Sequence, residues 1–252
     1  MRDSKEYALF KKQESTRERQ RYFRVWVVRS FLLHGVASIA ILALTGQLAT
    51  LISMPQAFQN LLPTLAFEDS SRLGRMFGGF MDGLKTMALP VLFVLPTTGS
   101  LLRVWLANRN PSNSTNSANE DPQSDVGRDI LPLMPRNASE RFWTAILSIN
   151  AGLSEELCFR VAIPMLLLIV SGSAWIAIVV STLLFGLAHF YQGWLGVIAT
   201  TFIGAILYWV YLATGSIWIT ILLHALLDLN DLAIAPWFEE WLKARDSARA
   251  QA

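Results

Sequence analysis

The chain is poor in the groups that soluble chemistry draws on. Its 252 residues hold one cysteine, three histidines and 16% charged side chains, against 53% hydrophobic ones. A single cysteine, Cys158, excludes an intrachain disulfide and a thiolate metal cluster. Between Val161 and Leu227 there is no Asp, Glu, Lys or Arg at all. A soluble domain does not tolerate so long an uncharged stretch, and lipid is the solvent that explains it. The net charge of +2 is small and its basic residues collect at the ends and in loops, so no basic stripe is available to nucleic acid.

What is present is a set of apolar blocks separated by polar punctuation. Residues 1–24 form a polar arm with Arg2, Lys5, Lys11, Lys12, Arg17, Arg19, Arg21 and Arg24 ahead of the first apolar run. So long and doubly charged a stretch is unlike a cleavable signal peptide. The positive-inside rule puts it in the cytoplasm, and an amphipathic helix on anionic lipid is compatible with it. A transmembrane hairpin is expected over 25–106, with spans near Val25–Met54 and Phe77–Leu106. Arg29 and His34 are expected to snorkel or sit at the interface, and Pro90 and Pro96 to kink the second span. Residues 107–139, rich in Asn, Ser and Pro, read as a flexible loop in which the N-x-[ST] triplets at Asn113 and Asn137 are accidental.

A membrane domain follows over 140–237, then a cytosolic tail over 238–252 with Lys243, Arg245 and Arg249. Breaks at Ser171-Gly172-Ser173, Gln192-Gly193 and Thr214-Gly215 divide this domain into segments near the roughly 20 residues that cross ~30 Å of hydrocarbon. The fold class expected is all-α, a polytopic bundle of six spans, or seven if Gly152 and Ser154 split the first segment of this domain. An even count returns both termini to the cytoplasm, and the chain is expected in the plasma membrane.

Against this background Glu155, Glu156, Arg160, His189, His224 and Asp228 stand out, because an ionised side chain at membrane depth costs roughly 2.5–3.5 kcal/mol even on lenient scales. They must face the bundle interior or a water-filled cavity. Glu156 and Arg160 are i,i+4 and form the natural ion pair. Glu155 lies about 100° around the helix from Glu156 and is left to bind a proton, a water or a metal. His224, Asp228 and Asp231 share one stripe, so Asp228 is placed to fix a His224 tautomer or to orient a substrate. Phe185, one turn before His189, is placed to shield the site from water.

These residues compose three ordered motifs: E-E-x-x-x-R at Glu155 to Arg160, F-x-x-x-H at Phe185 to His189, and H-x-x-x-[N/D] at His224 to Asp228. Over about residues 140–232 the chain resembles the membrane-embedded type II CAAX prenyl endopeptidases and their prokaryotic relatives, the CPBP or ABI family. The resemblance implies a membrane peptidase acting on a membrane-associated peptide or protein. In it Glu155 and His189 activate a water, His224 and Asp228 stabilise the oxyanion or position the scissile bond, and Glu156 and Arg160 support them. It also implies that Glu155, His189 and His224 hold Zn²⁺, or alternatively a metal-free glutamate mechanism with the same residues. An Asp at 228, where family members often have Asn, would repel an oxyanion if ionised. Two other classes compete: an ion-coupled transporter, against which no internal repeat is found, and a non-catalytic immunity or scaffold protein, which would be expected to lose a motif residue.

Overall fold

The computed structural model describes residues 2–61 and 131–250, and among them every regular element is helical. The second expected span, Phe77–Leu106, and most of the 107–139 loop, with Asn113, lie outside the described residues.

Helix α1 spans Arg2–Lys11. Helix α2 runs over Thr16–Leu44, interrupted by a π turn at Phe31–Val36. It begins well before the expected Val25 and ends well before Met54, because Gly46, at φ 70°, takes the left-handed conformation that stops a helix. The arm is thus not a free polar segment. Its second half is the first turns of α2, secured by Arg19, which is fully buried. The Arg19 guanidinium donates to Glu140 Oε2 at 3.0 Å and to the carbonyls of Pro132 and Met134 at 2.9 and 3.1 Å, and it lies 4.4 Å from the Phe10 ring centroid.

Helix α3 covers residues 138–171, with a π turn at Leu157–Ala162. Asn137 caps it, its side-chain oxygen accepting from Glu140 N at 3.0 Å, so the end of the expected loop is ordered helix start. Gly152 and Ser154 do not split this helix. The irregularity comes just beyond the two acids.

Helices α4 (Ala174–Ala188), α5 (Gly193–Thr214) and α6 (residues 217–250) follow. The three breaks fall where expected, with Gly172 and Gly215 left-handed at φ 66° and 67° and Gly193 at φ 79°. Helix α6 continues through a π turn at Asn230–Ile234 to Ala250, so the expected tail is an extension of the last helix.

Among the described residues three helices are long and apolar enough to span a membrane, Thr16–Leu44, Phe190–Thr214 and Ile217–Leu242, and Ala174–Ala188 is a shorter apolar one. Their outer faces are apolar: Trp194, Ile198 and Phe202 recur at i,i+4 on α5 and are all exposed. A face of that composition belongs against acyl chains, so the protein is an integral membrane bundle.

The axis of the bundle is the α3–α6 crossing. A Cβ on Gly152 would stand 2.6–2.8 Å from the backbone N, Cα and Cβ of Ala225, so only glycine allows this approach. Ala225 neighbours His224, and Gly152 lies one turn before Glu156. Their close packing brings the two helices' polar side chains together.

Candidate active site

Glu156 is the hub of the buried polar cluster. Its Oε2 lies 3.1 Å from Arg160 Nε, on the same face as its spacing requires, with both side chains at 1% exposure or less. Its Oε1 lies 2.7 Å from His224 Nδ1. A carboxylate paired to an arginine only accepts, so Nδ1 carries the proton and His224 Nε2 is turned to the other side. There Asp228 Oδ2 stands 3.7 Å away, beyond hydrogen-bonding reach. The tautomer of His224 is therefore set by Glu156 and not by Asp228. Asp231, on the same expected stripe, accepts instead from Asn230 Nδ2 at 2.9 Å.

Phe185 is buried at the centre of the site. Its ring centroid is 4.9 Å from that of His189 and 6.0 Å from that of His224, and the Arg160 guanidinium lies 4.2 Å from it. Gly204 makes room for this ring, since a Cβ there would meet Phe185 Cδ1 at 2.7 Å, and the Gly204 carbonyl accepts from Arg160 Nη2 at 3.3 Å.

His189 ends α4, half-buried. Its Nδ1 is 2.9 Å from the Phe185 carbonyl. A carbonyl oxygen cannot donate, so Nδ1 bears the hydrogen and, in the neutral ring, Nε2 presents a lone pair. This Nε2 faces Glu155 Oε2 at 3.9 Å. The Glu155 oxygen is itself buried and receives no hydrogen bond among the described residues.

Glu155 and His189 open onto a cavity of about 260 Å³. Much of its remaining wall comes from residues that no motif contains, among them Tyr7 of α1, Arg29, Ser30 and His34 of α2, and Tyr191. His34 lies on this cavity wall, its ring 5.9 Å from that of Phe159. Helical phase offered a signal for it, because Ser30 and His34 are i,i+4 polar residues within an apolar run. His224 and Asp228 do not line this cavity.

The proposed metal ligands Glu155, His189 and His224 do not converge. Among the described residues no group of three or more His, Cys, Asp or Glu is placed to hold a metal ion. His224 is held by Glu156 on one side and faces Asp228 on the other, while His189 Nε2 faces Glu155. This donor geometry does not fit a three-ligand zinc site.

Residues 137–230 match the family model described as type II CAAX prenyl endopeptidase Rce1-like. Over these residues the chain is similar to that family. The matched segment runs from the cap of α3 to the residues just after Asp228 and takes in all three motifs, so the resemblance they carry is supported over this part of the chain. Helices α1 and α2 lie outside it. No curated protein and no solved structure matches the chain.

Proposed function

We propose that this protein is an intramembrane endopeptidase that hydrolyses a peptide bond of a membrane-associated peptide or protein, with water activated by Glu155 and His189. The observation that carries the reading is the pair of acceptors, Glu155 Oε2 and His189 Nε2, 3.9 Å apart on the cavity wall. Two acceptors do not bond to each other. Two acceptors each about 2.8 Å from one water stand roughly 4.6 Å apart at a tetrahedral angle, and the observed 3.9 Å still admits one water donating to both, at an acceptor–water–acceptor angle closed to about 90°. The oxygen of such a water keeps its lone pairs for a carbonyl carbon.

In the reaction the water oxygen attacks the scissile carbonyl while Glu155 takes its proton, with His189 orienting it. His224 lies between two carboxylates, Glu156 at Nδ1 and Asp228 facing Nε2, which together favour the doubly protonated ring, and in that form Nε2–H is the donor assigned to the developing oxyanion or to placing the scissile bond. Asp228 as a carboxylate serves the placing role better, because its charge opposes an oxyanion. Arg160 and Glu156 act through these groups by holding Phe185 and His224. The donor geometry favours the metal-free glutamate form over a zinc peptidase. The chain is assigned to the plasma membrane with both termini cytoplasmic, as the basic residues of α1, α2 and the end of α6 suggest.

The test is cleavage of a peptide library, C-terminally lipidated and unlipidated, by the detergent-purified protein, read by mass spectrometry. Products with one defined scissile bond support the proposal. A folded preparation that cuts nothing refutes it.

A further inference from the structure

The cavity wall formed by α2 lies outside the family match, yet it faces Glu155 and His189. Its most reactive group is His34, one of only three histidines in the chain.

His34 is held by a chain of hydrogen bonds whose direction is determined from its far end. Ser154 Oγ donates to the Asn150 carbonyl at 2.7 Å and so has no proton left to give. It therefore accepts from Ser30 Oγ, 3.2 Å away. Ser30, its own proton committed, accepts in turn from His34 Nδ1 at 3.3 Å. Nδ1 stays protonated whatever the charge of the ring, and Nε2 is the nitrogen that gains and loses a proton. The backbone is fixed as well, since the His34 carbonyl accepts from Ser38 Oγ.

His34 also lies within a π turn, Phe31–Val36. Among the described residues two other π turns adjoin the site: one follows Glu155 and Glu156 and contains Arg160, and one begins just after Asp228. Such turns are rare and concentrate at functional positions. The wall is close, because a Cβ on Gly35 would lie 3.5 Å from Ser154 Cβ, and Ser154 neighbours Glu155.

We propose that His34 is a catalytic residue of the hydrolysis, delivering a proton to the departing amine from the α2 side of the cavity. This rests on the endopeptidase reading. The water gives its hydroxide to the carbonyl carbon and its proton to Glu155. The electron pair of the breaking C–N bond goes to nitrogen, which takes the proton from His34 Nε2. Glu155 then releases its proton to solvent and His34 takes one from solvent, so no charge or electron is gained or lost over the cycle.

Protonation matters only where the leaving group is poor. An amine cannot leave as an anion, whereas a thiolate leaves without a proton. The test therefore compares one cleaved peptide with its analogue carrying a thioester at the scissile bond, using the full-length protein with His34→Ala, His34→Gln and Glu155→Gln. The expected result is that both His34 variants lower kcat on the amide by about 10²–10⁴-fold with little change in KM, and hydrolyse the thioester near the wild-type rate. Glu155→Gln slows both substrates. Equal losses on amide and thioester in the two His34 variants, or no loss on either, overturn the assignment. Wild-type rates in Glu155→Gln on both substrates instead overturn the endopeptidase mechanism, and this assignment with it.

Discussion

Glu156 and His224, separated by 68 residues in the chain, share a 2.7 Å hydrogen bond in the buried centre of the bundle. The same carboxylate pairs with Arg160, so one side chain ties α3 to α6 and neutralises a guanidinium away from water. Replacing Glu156 by Ala leaves Arg160 buried without its partner, a change that costs about 3–5 kcal/mol. Glu156→Ala is expected to lower the detergent unfolding temperature clearly and to abolish cleavage. Glu156→Gln, which keeps the shape and one acceptor, is expected to lose less stability. Thermal unfolding followed by tryptophan fluorescence checks the order.

The α3–α6 crossing makes a second prediction. Gly152→Ala puts a methyl group 2.6–2.8 Å from Ala225, so the helices must separate. Overpacking of this kind costs about 1–3 kcal/mol. Because separation also pulls His224 from Glu156, activity should fall more than the stability loss alone explains. Paired unfolding and cleavage assays separate the two effects.

Much of this was legible in the sequence, for a physical reason. Charges in apolar segments are expensive, so Glu155, Glu156, Arg160 and Asp228 had to be inside, and i,i+4 spacing was enough to pair Glu156 with Arg160. The breaks at Gly172, Gln192-Gly193 and Gly215 were legible because glycine takes the φ that ends a helix. Other features were not legible. The partner of His224 depends on how close α6 approaches α3, which periodicity does not encode, and so Asp228 stood in for Glu156. The π turns shift helical phase without a sequence marker. The place of His34 on the cavity wall was not legible either, because it depends on the approach of α2 to α3 around Gly35. The continuation of α6 past Trp237 replaces a composition boundary with an unbroken backbone.

Phe185 spaces the two histidines and its carbonyl sets the His189 tautomer. Phe185→Ala opens a cavity under Arg160 and should cost about 3–5 kcal/mol. Phe185→Leu should preserve folding better while lowering kcat, since the backbone acceptor remains but the ring spacing is lost. Steady-state kinetics on the two variants, normalised to folded protein, distinguishes them.

The donor arrangement around Glu155, His189 and His224 predicts that chelation with 1,10-phenanthroline leaves the rate of the purified enzyme unchanged. Loss of activity that added Zn²⁺ restores would contradict the metal-free form while leaving Glu155 essential.

The central claim is that Glu155 activates the attacking water, and the most direct measurement is the cleavage rate of Glu155→Gln beside wild type on one identified peptide, with both proteins verified as folded. The account predicts a kcat lower by about 10²–10⁴-fold in the variant at similar unfolding temperature. Equal rates for the two proteins would contradict it.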